Sequence, residues 1–266
     1  MKTLELKQVS HGLKIGQKPK QLEPNVYEDT LFVLNGEPVG FYIANVKGDL
    51  KNFLGIANKE FVSERVPKVV MRRSSGVTGK NLIEVEQYST ILGGIPSKPH
   101  FKREYKTMSS VHAHKTAKLF VKAMLKACHE SEKLIESVCP AIHARQKKII
   151  EEGVPEKWRF GNLFTSSISN SNASAPMHID RANIKETVNV IMNKRRNARG
   201  GNLHVPDFGL TLDSKDNSII VYPAWRNLHG VTEIIARGQD AYRNSLIFYP
   251  IKDFIEKKEA ESDKPL

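Results

Sequence analysis

Two histidines and one carboxylate, His178-Ile179-Asp180 with His229 further on, can occupy one face of an octahedral iron(II) site. The opposite positions then stay open for a co-substrate and O2. Side chains alternate across a strand, so His178 and Asp180 would share a face while Met177 and Ile179 point away. An HxD pair alone is a weak signal, and a lone His229 reads as readily as an ordinary loop histidine. Arg243 strengthens both, because Arg243 and Ser245 share a strand face by the same alternation, as do Ile247 and Tyr249 beyond them. A guanidinium fork grips a carboxylate bidentately, and a serine hydroxyl adds a third bond. A buried arginine on an apolar strand otherwise needs an acidic partner, and none is close in sequence. Order and spacing together point to iron chemistry with a dicarboxylate co-substrate.

These residues need a scaffold of short strands. Leu31–Leu34, Asn35-Gly36 and Val39–Ile43 form a hairpin signal, since Asn-Gly supplies the positive φ angles of a tight turn. Val69–Met71 and Leu82–Leu92 read as further strands around the turn-rich Ser74–Gly79, so the first hundred residues read as strands and turns. From about Ser109 to Val138 the periodicity becomes helical, with Phe120, Met124, Ala127, Ser131, Ile135 and Val138 on one stripe. Pro140 ends that helix, and a second is expected over Ala141–Glu152. Beyond Trp158, strands are expected at Leu163–Ser169, Met177–Asp180, Thr187–Met192, Leu203–Val205, Ser218–Tyr222, Val231–Ile234 and Ser245–Tyr249. Short strands separated by Gly, Asn, Asp and Pro indicate a jelly-roll sandwich or barrel, mainly β, with helices packed outside it.

The chain of 266 residues, 39% hydrophobic, is long enough for one sizeable core. A single domain is expected: a strand- and turn-rich elaboration over 1–104, helical support over 105–155, the β core over 156–252 and a charged tail over 253–266. No apolar run approaches a membrane span, and the start lacks the apolar stretch of a signal peptide, so an intracellular protein is expected. Cys128 and Cys139 have no metal-type spacing and read as reduced thiols. The net charge of +12 suggests a polyanionic partner, most simply nucleic acid, although a solvated basic surface would account for charge alone. Lys194-Arg195-Arg196-Asn197-Ala198-Arg199-Gly200-Gly201 would link two barrel strands near the mouth, with Arg195, Arg196 and Arg199 on phosphates; Arg72 and Arg73 could act likewise. His204, near the Gly-Gly turn, reads as structural, and His112 and His114 would diverge on a helix and hold no metal.

The run Phe164-Thr165-Ser166-Ser167-Ile168-Ser169-Asn170, His178-x-Asp180-x-x-Asn183, Gly200-Gly201-x-Leu203, Val205-Pro206, His229-Gly230-Val231 and Arg243-x-Ser245-Leu246-Ile247-Phe248-Tyr249 resembles the TET/J-binding-protein family. These 2-oxoglutarate- and iron(II)-dependent dioxygenases hydroxylate the methyl group of 5-methylcytosine or thymine in DNA. The likeness covers about Trp158 to Pro250. HxD…H with Arg is common to the superfamily; the FTS…N, HxDxxN and RxSLxxY forms are more specific.

The resemblance implies a double-stranded β-helix with iron(II) on His178, Asp180 and His229, using 2-oxoglutarate and O2. Arg243 and Ser245 would bind the far carboxylate of 2-oxoglutarate, and Asn170 its near end. Asn183 would read the base edge, with an ordinary turn residue as the plain alternative, and Tyr249 would lie against the flipped base. One departure is Ile251, where animal relatives carry a histidine, which leaves cytosine versus thymine open.

A methyl group inside a duplex cannot reach buried iron, so the nucleotide would be extruded. The leading expectation is oxidation of 5-methylcytosine in DNA to 5-hydroxymethylcytosine, with further oxidation open. The alternatives are thymine hydroxylation to 5-hydroxymethyluracil, a protein or amino-acid hydroxylase on the same barrel, and a DNA-binding module with a vestigial barrel. No protein partner is evident from the sequence.

Overall fold

The computed structural model describes residues 1–70, 87–98 and 102–256. Met71, Arg72, Arg73, the Ser74–Gly79 turn, part of the expected Leu82–Leu92 strand and most of the charged tail lie outside the described residues.

The chain opens with β1 (Lys2–Glu5), then the hairpin of β2 (Thr30–Leu34) and β3 (Glu37–Ile43). Asn35 and Gly36 take φ values of 54° and 81°, the turn that this dipeptide favours. Helix α1 (Gly48–Val62) follows, in a region that the sequence pattern assigned to strands and turns. Its buried face is Leu50, Leu54, Ala57 and Phe61, a helical spacing overlooked among the neighbouring strand signals. Next come β4 (Val69–Val70), β5 (Tyr88–Ile95) and β6 (Thr107–Met108). Two helices follow, α2 (Lys118–Val138) and α3 (Pro140–Gly153), with the stretch from Ser110 to Ala117 in short 3-10 turns rather than the α-helix expected there.

The remaining strands are β7 (Ser166–Ser171), β8 (Ala175–His178), β9 (Asn189–Arg196), β10 (Ala198–Gly200), β11 (Leu203–Val205), β12 (Leu210–Leu212), β13 (Ile219–Tyr222), β14 (His229–Val231), β15 (Ile234–Ala236) and β16 (Tyr242–Tyr249). The strand expected over Val231–Ile234 is thus split: β14 joins one sheet and β15 pairs β10 in a separate ribbon.

The large sheet runs β1-β2-β3-β13-β9-β16-β7-β5-β4, with β6 on β5, and the small sheet runs β12-β11-β14-β8. This two-sheet arrangement with helices outside is the double-stranded β-helix, mainly β. Alternation along β9 and β16 divides the layers. Val190, Met192, Leu246 and Phe248 join Leu54, Phe61, Phe120 and Met124 in the core under α1 and α2. The opposite face of the large sheet, with Tyr42, Ile220 and Tyr222, packs on Leu203, Val205 and Leu212 of the small sheet. Burying each such aromatic or aliphatic side chain contributes about 1.5–3 kcal/mol, so the helices clamp the large sheet from behind and leave its inner face to the site.

Polar side chains on the helices fix that clamp. Asn244 donates to Asn58 Oδ1 at 2.8 Å, tying β16 to α1. The buried Glu132 carboxylate on α2 accepts the backbone N–H groups of Asn162 and Leu163 at 2.6 and 3.0 Å, just before β7. Gln146 on α3 donates to Leu163 O at 2.8 Å and accepts from Val188 N at 2.8 Å, so one side chain holds the entries to β7 and β9.

Candidate metal centre

His229 and His178 are directly opposed Cα partners across β14 and β8, and their ring centroids lie 4.3 Å apart. β8 ends at His178, two residues short of the Asp180 that alternation would place on the same strand face. Asp180 sits in the turn beyond, its backbone N–H donating to Ala224 O at 3.1 Å. The turn still brings Asp180 Oδ1 within 3.5 Å of His178 Nε2. One donor atom from each of the three residues can be chosen so that all lie within 4.8 Å of one another.

Outer partners set the chemistry of these donors. His178 Nδ1 lies 2.8 Å from Pro176 O and His229 Nδ1 lies 3.0 Å from Asn227 O. A carbonyl can only accept, so both Nδ1 atoms carry the proton and both Nε2 lone pairs face the cavity. Burial first, and then His178 beside it, hold the His229 imidazole below its ordinary pKa, which keeps that ligand neutral. Asp180 Oδ2 accepts from Asn189 Nδ2 at 3.2 Å, and Asn189 Oδ1 accepts from Asn183 Nδ2 at 2.8 Å. Two imidazoles held through their Nδ1 atoms and an oriented carboxylate are a donor set that fits an iron(II) ion with open positions.

The inner face of the large sheet supplies the rest in rows. Ser245 on β16 has Asn193 of β9 on one side and Asn170 of β7 on the other, and Arg243 stands opposite Arg195 in the adjacent row. Arg243, Ser245, Asn170 and Ile247 line one cavity with His178, Asp180 and His229. Arg243 is 2% exposed, its Nη2 donates to Ser214 Oγ at 3.2 Å, and its buried Nε has no partner. No carboxylate forms a salt bridge with it among the described residues; Arg195 alongside is itself held by Asp213 at 3.0 Å. Burial, then the charge of Arg195, push the Arg243 pKa down to about 9. A buried cation without a counter-charge is costly, and a bound carboxylate is the natural compensation. The buried Asn170 Oδ1 is also without a partner.

Other expected site residues fall elsewhere. Tyr249 is partly exposed at the end of β16, and burial and the Asp180 charge raise its pKa, keeping the phenol protonated. Asn183 is buried, with one of its two amide N–H groups given to Asn189 Oδ1. The basic Lys194–Gly201 segment is not a free loop at the mouth. Lys194 to Arg196 belong to β9, and their strand end lies about 20 Å from the Asn189 end that touches Asp180. Lys194 is paired with Asp216, Arg195 with Asp213 and Arg199 with Glu23; Arg196 has no carboxylate partner among the described residues. His204 is buried, with Nδ1 2.9 Å from Leu210 O, consistent with a structural role. His112 accepts from Gly93 N at 2.8 Å. Sequence reasoning missed Asn189 and Ser214, whose roles depend on strand register rather than on a local motif.

No protein-family profile matches the chain, and no curated protein matches it. Among solved structures, NgTET1 in complex with 5mC DNA has a TM-score of 0.57 at 12% identity, covering 89% of this chain and 81% of that one. An oxidoreductase of the 2OG-Fe(II) oxygenase family from Burkholderia pseudomallei has a TM-score of 0.44 at 12% identity, covering 76% and 81%. A 2OG-Fe(II) oxygenase family protein from Caulobacter crescentus has a TM-score of 0.48 at 11% identity, covering 79% and 77%. The chain therefore shares its fold with NgTET1 over most of its length.

Proposed function

We propose that this chain is a 2-oxoglutarate- and iron(II)-dependent dioxygenase that hydroxylates the methyl group of 5-methylcytosine in DNA to 5-hydroxymethylcytosine. The observation that carries the dioxygenase reading is the buried, uncompensated Arg243 in the same cavity as the His178–Asp180–His229 set. His178, Asp180 and His229 would hold the iron, Arg243 and Ser245 the far carboxylate of 2-oxoglutarate, and Asn170 its near end. With O2, the bound pair supplies the oxidising power: 2-oxoglutarate leaves as succinate and CO2, one oxygen atom enters succinate, and the other enters the C–H bond.

The protein's own part is placement and exclusion of water. His178 and Asp180 are the more exposed members of the triad, with side chains 38% and 34% exposed, so the substrate approaches from their side while His229 and Arg243 stay dry. Tyr249, beside Asp180, offers a ring face to an extruded base. Asn183 gives one amide N–H to Asn189 Oδ1, which leaves its second N–H and its Oδ1 for a base edge. The likeness to a structure holding 5mC DNA supports methylcytosine as the substrate. Thymine hydroxylation is the second reading, favoured by Ile251, a buried apolar side chain bridged to Asn183 where a base-reading histidine would otherwise stand.

The test is incubation with iron(II), 2-oxoglutarate, ascorbate and DNA containing both 5-methylcytosine and thymine, followed by mass spectrometry of the digested nucleosides. One added oxygen on methylcytidine is expected; added oxygen on thymidine alone selects the second reading. No oxidised nucleoside, with 2-oxoglutarate consumed on a protein extract instead, would overturn both.

A further inference from the structure

The segment from Leu6 to Leu22 contains no Asp or Glu and carries Lys7, His11, Lys14, Lys18 and Lys20. It forms no regular element apart from a turn at Ile15-Gly16, closed by Gln17 N donating to Lys14 O at 3.1 Å and Lys14 N donating to Gln17 Oε1 at 2.7 Å. This turn is fastened to the outer edge of β8. Gly16 N donates to Met177 O at 2.8 Å, and Met177 N donates to Gln17 O at 2.7 Å. Met177 immediately precedes His178, so the strap runs along the strand that carries one residue of the candidate metal set. Pro19 is buried, while Lys14, Lys18 and Lys20 are exposed, and no salt bridge among the described residues engages any of them.

Covering the free edge of β8 explains the backbone bonds, since an unpaired edge invites pairing with another chain. It does not explain why every charged side chain from Lys7 to Lys20 is basic. By contrast, Lys194 and Arg195 on β9 and Arg199 on β10 each hold a carboxylate. Exposed lysines without a carboxylate partner, on a strap bonded to the residue before His178, are suited to a polyanion. Lysine, a flexible point charge, suits a backbone read without regard to sequence.

We propose that the strap turn is a phosphate clamp, with Lys14, Lys18 and Lys20 gripping the backbone of the nucleic-acid strand whose base enters the cavity at His178 and Asp180. This rests on the nucleic-acid reading of the site and adds to it the surface that holds the strand.

The test uses the iron-loaded protein with 2-oxoglutarate, kept anaerobic, and a fluorescein-labelled duplex carrying one 5-methylcytosine. Anisotropy is followed as salt is raised. Replacing Lys14, Lys18 and Lys20 together by Ala should weaken binding roughly tenfold or more near physiological salt and reduce the slope of log K against log salt by about two to three. Their replacement by Arg should keep the slope.

A charge-matched control replaces Lys118, Lys122 and Lys126 on α2, which packs behind the large sheet, by Ala. It should change the slope by less than half as much. Equal losses in the strap and α2 variants would mean bulk charge and overturn the clamp. So would a strap variant that binds like wild type, whether or not it self-associates through the β8 edge. If the wild-type protein oxidises DNA while the strap variant binds it unchanged, only the clamp falls. If the wild-type protein does not bind nucleic acid at all, the clamp and the DNA reading fall together.

Discussion

Arg243 places a full positive charge in a buried position with nothing negative to meet it. Such a residue costs the empty protein stability and is useful only when a carboxylate arrives. Arg243→Met is therefore expected to leave the ligand-free protein as stable as wild type or more stable by about 1–4 kcal/mol. It should also abolish stabilisation by 2-oxoglutarate. At one hundred times Kd the wild-type protein should gain about 2.7 kcal/mol, and the variant at that concentration none. Urea unfolding of both proteins with and without 2-oxoglutarate reads this directly; a variant still stabilised by the ligand would place the carboxylate elsewhere. Asp180→Ala should abolish turnover and leave DNA binding nearly intact, measured by nucleoside mass spectrometry and anisotropy. Asn189 lines the cavity and holds the second oxygen of Asp180. Asn189→Ala is expected to weaken metal affinity about 10- to 100-fold, read by titration with cobalt(II) on the folded variant. An unchanged affinity would reduce the Asn183–Asn189–Asp180 series to packing.

At the scale of elements, the site depends on how closely β3, β13, β9 and β16 are laid together. Gly40 on β3 shows the tolerance: a Cβ there would lie 2.3 Å from Val221 O on β13. Gly40→Ala must push the strands apart and should cost about 1–3 kcal/mol, seen as a lowered urea midpoint. An unchanged midpoint would mean that β3 can shift without disturbing β13.

Most strands of the core were legible in the sequence because short apolar or alternating runs are set off by Gly, Asn, Asp and Pro. Helix α1 was not, because its apolar residues lie between a strong hairpin signal and further strand-like runs. The strand and turn pattern outweighed a 3- to 4-residue spacing that only packing against α2 makes decisive, with the Phe61 and Phe120 rings 6.2 Å apart. The basic Lys194–Gly201 stretch misled for a related reason. Its charges look free along the chain, yet Asp213, Asp216 and Glu23 meet them through folding.

For the whole molecule, three histidines, His204 and His229 buried and His112 half-buried, make stability depend on pH. Burial lowers the pKa of His112, His204 and His229 from the ordinary value of 6.5. When unfolded, each takes up a proton near 6.5; when folded, each does so only at lower pH. Unfolding therefore takes up protons, and stability is full above about pH 6.5 and falls as pH drops below it. The melting temperature of the metal-free protein should be lower at pH 5.5 than at 7.5; a flat profile would show that these rings protonate in place. No helix among the described residues is long and apolar enough to cross a membrane.

The sequence by itself marked the candidate ligand types, their order and Arg243 as a candidate carboxylate partner, because metal and carboxylate chemistry depend on side-chain identity and alternation is a local rule. Only the tertiary structure decided that Arg243 is buried without an acid, that Asn189 orients Asp180, and that a lysine-bearing strap lies against the strand of His178. Each of these depends on register between segments far apart in the chain, such as Gln17 with Met177, and such pairing leaves no local trace in the order of residues.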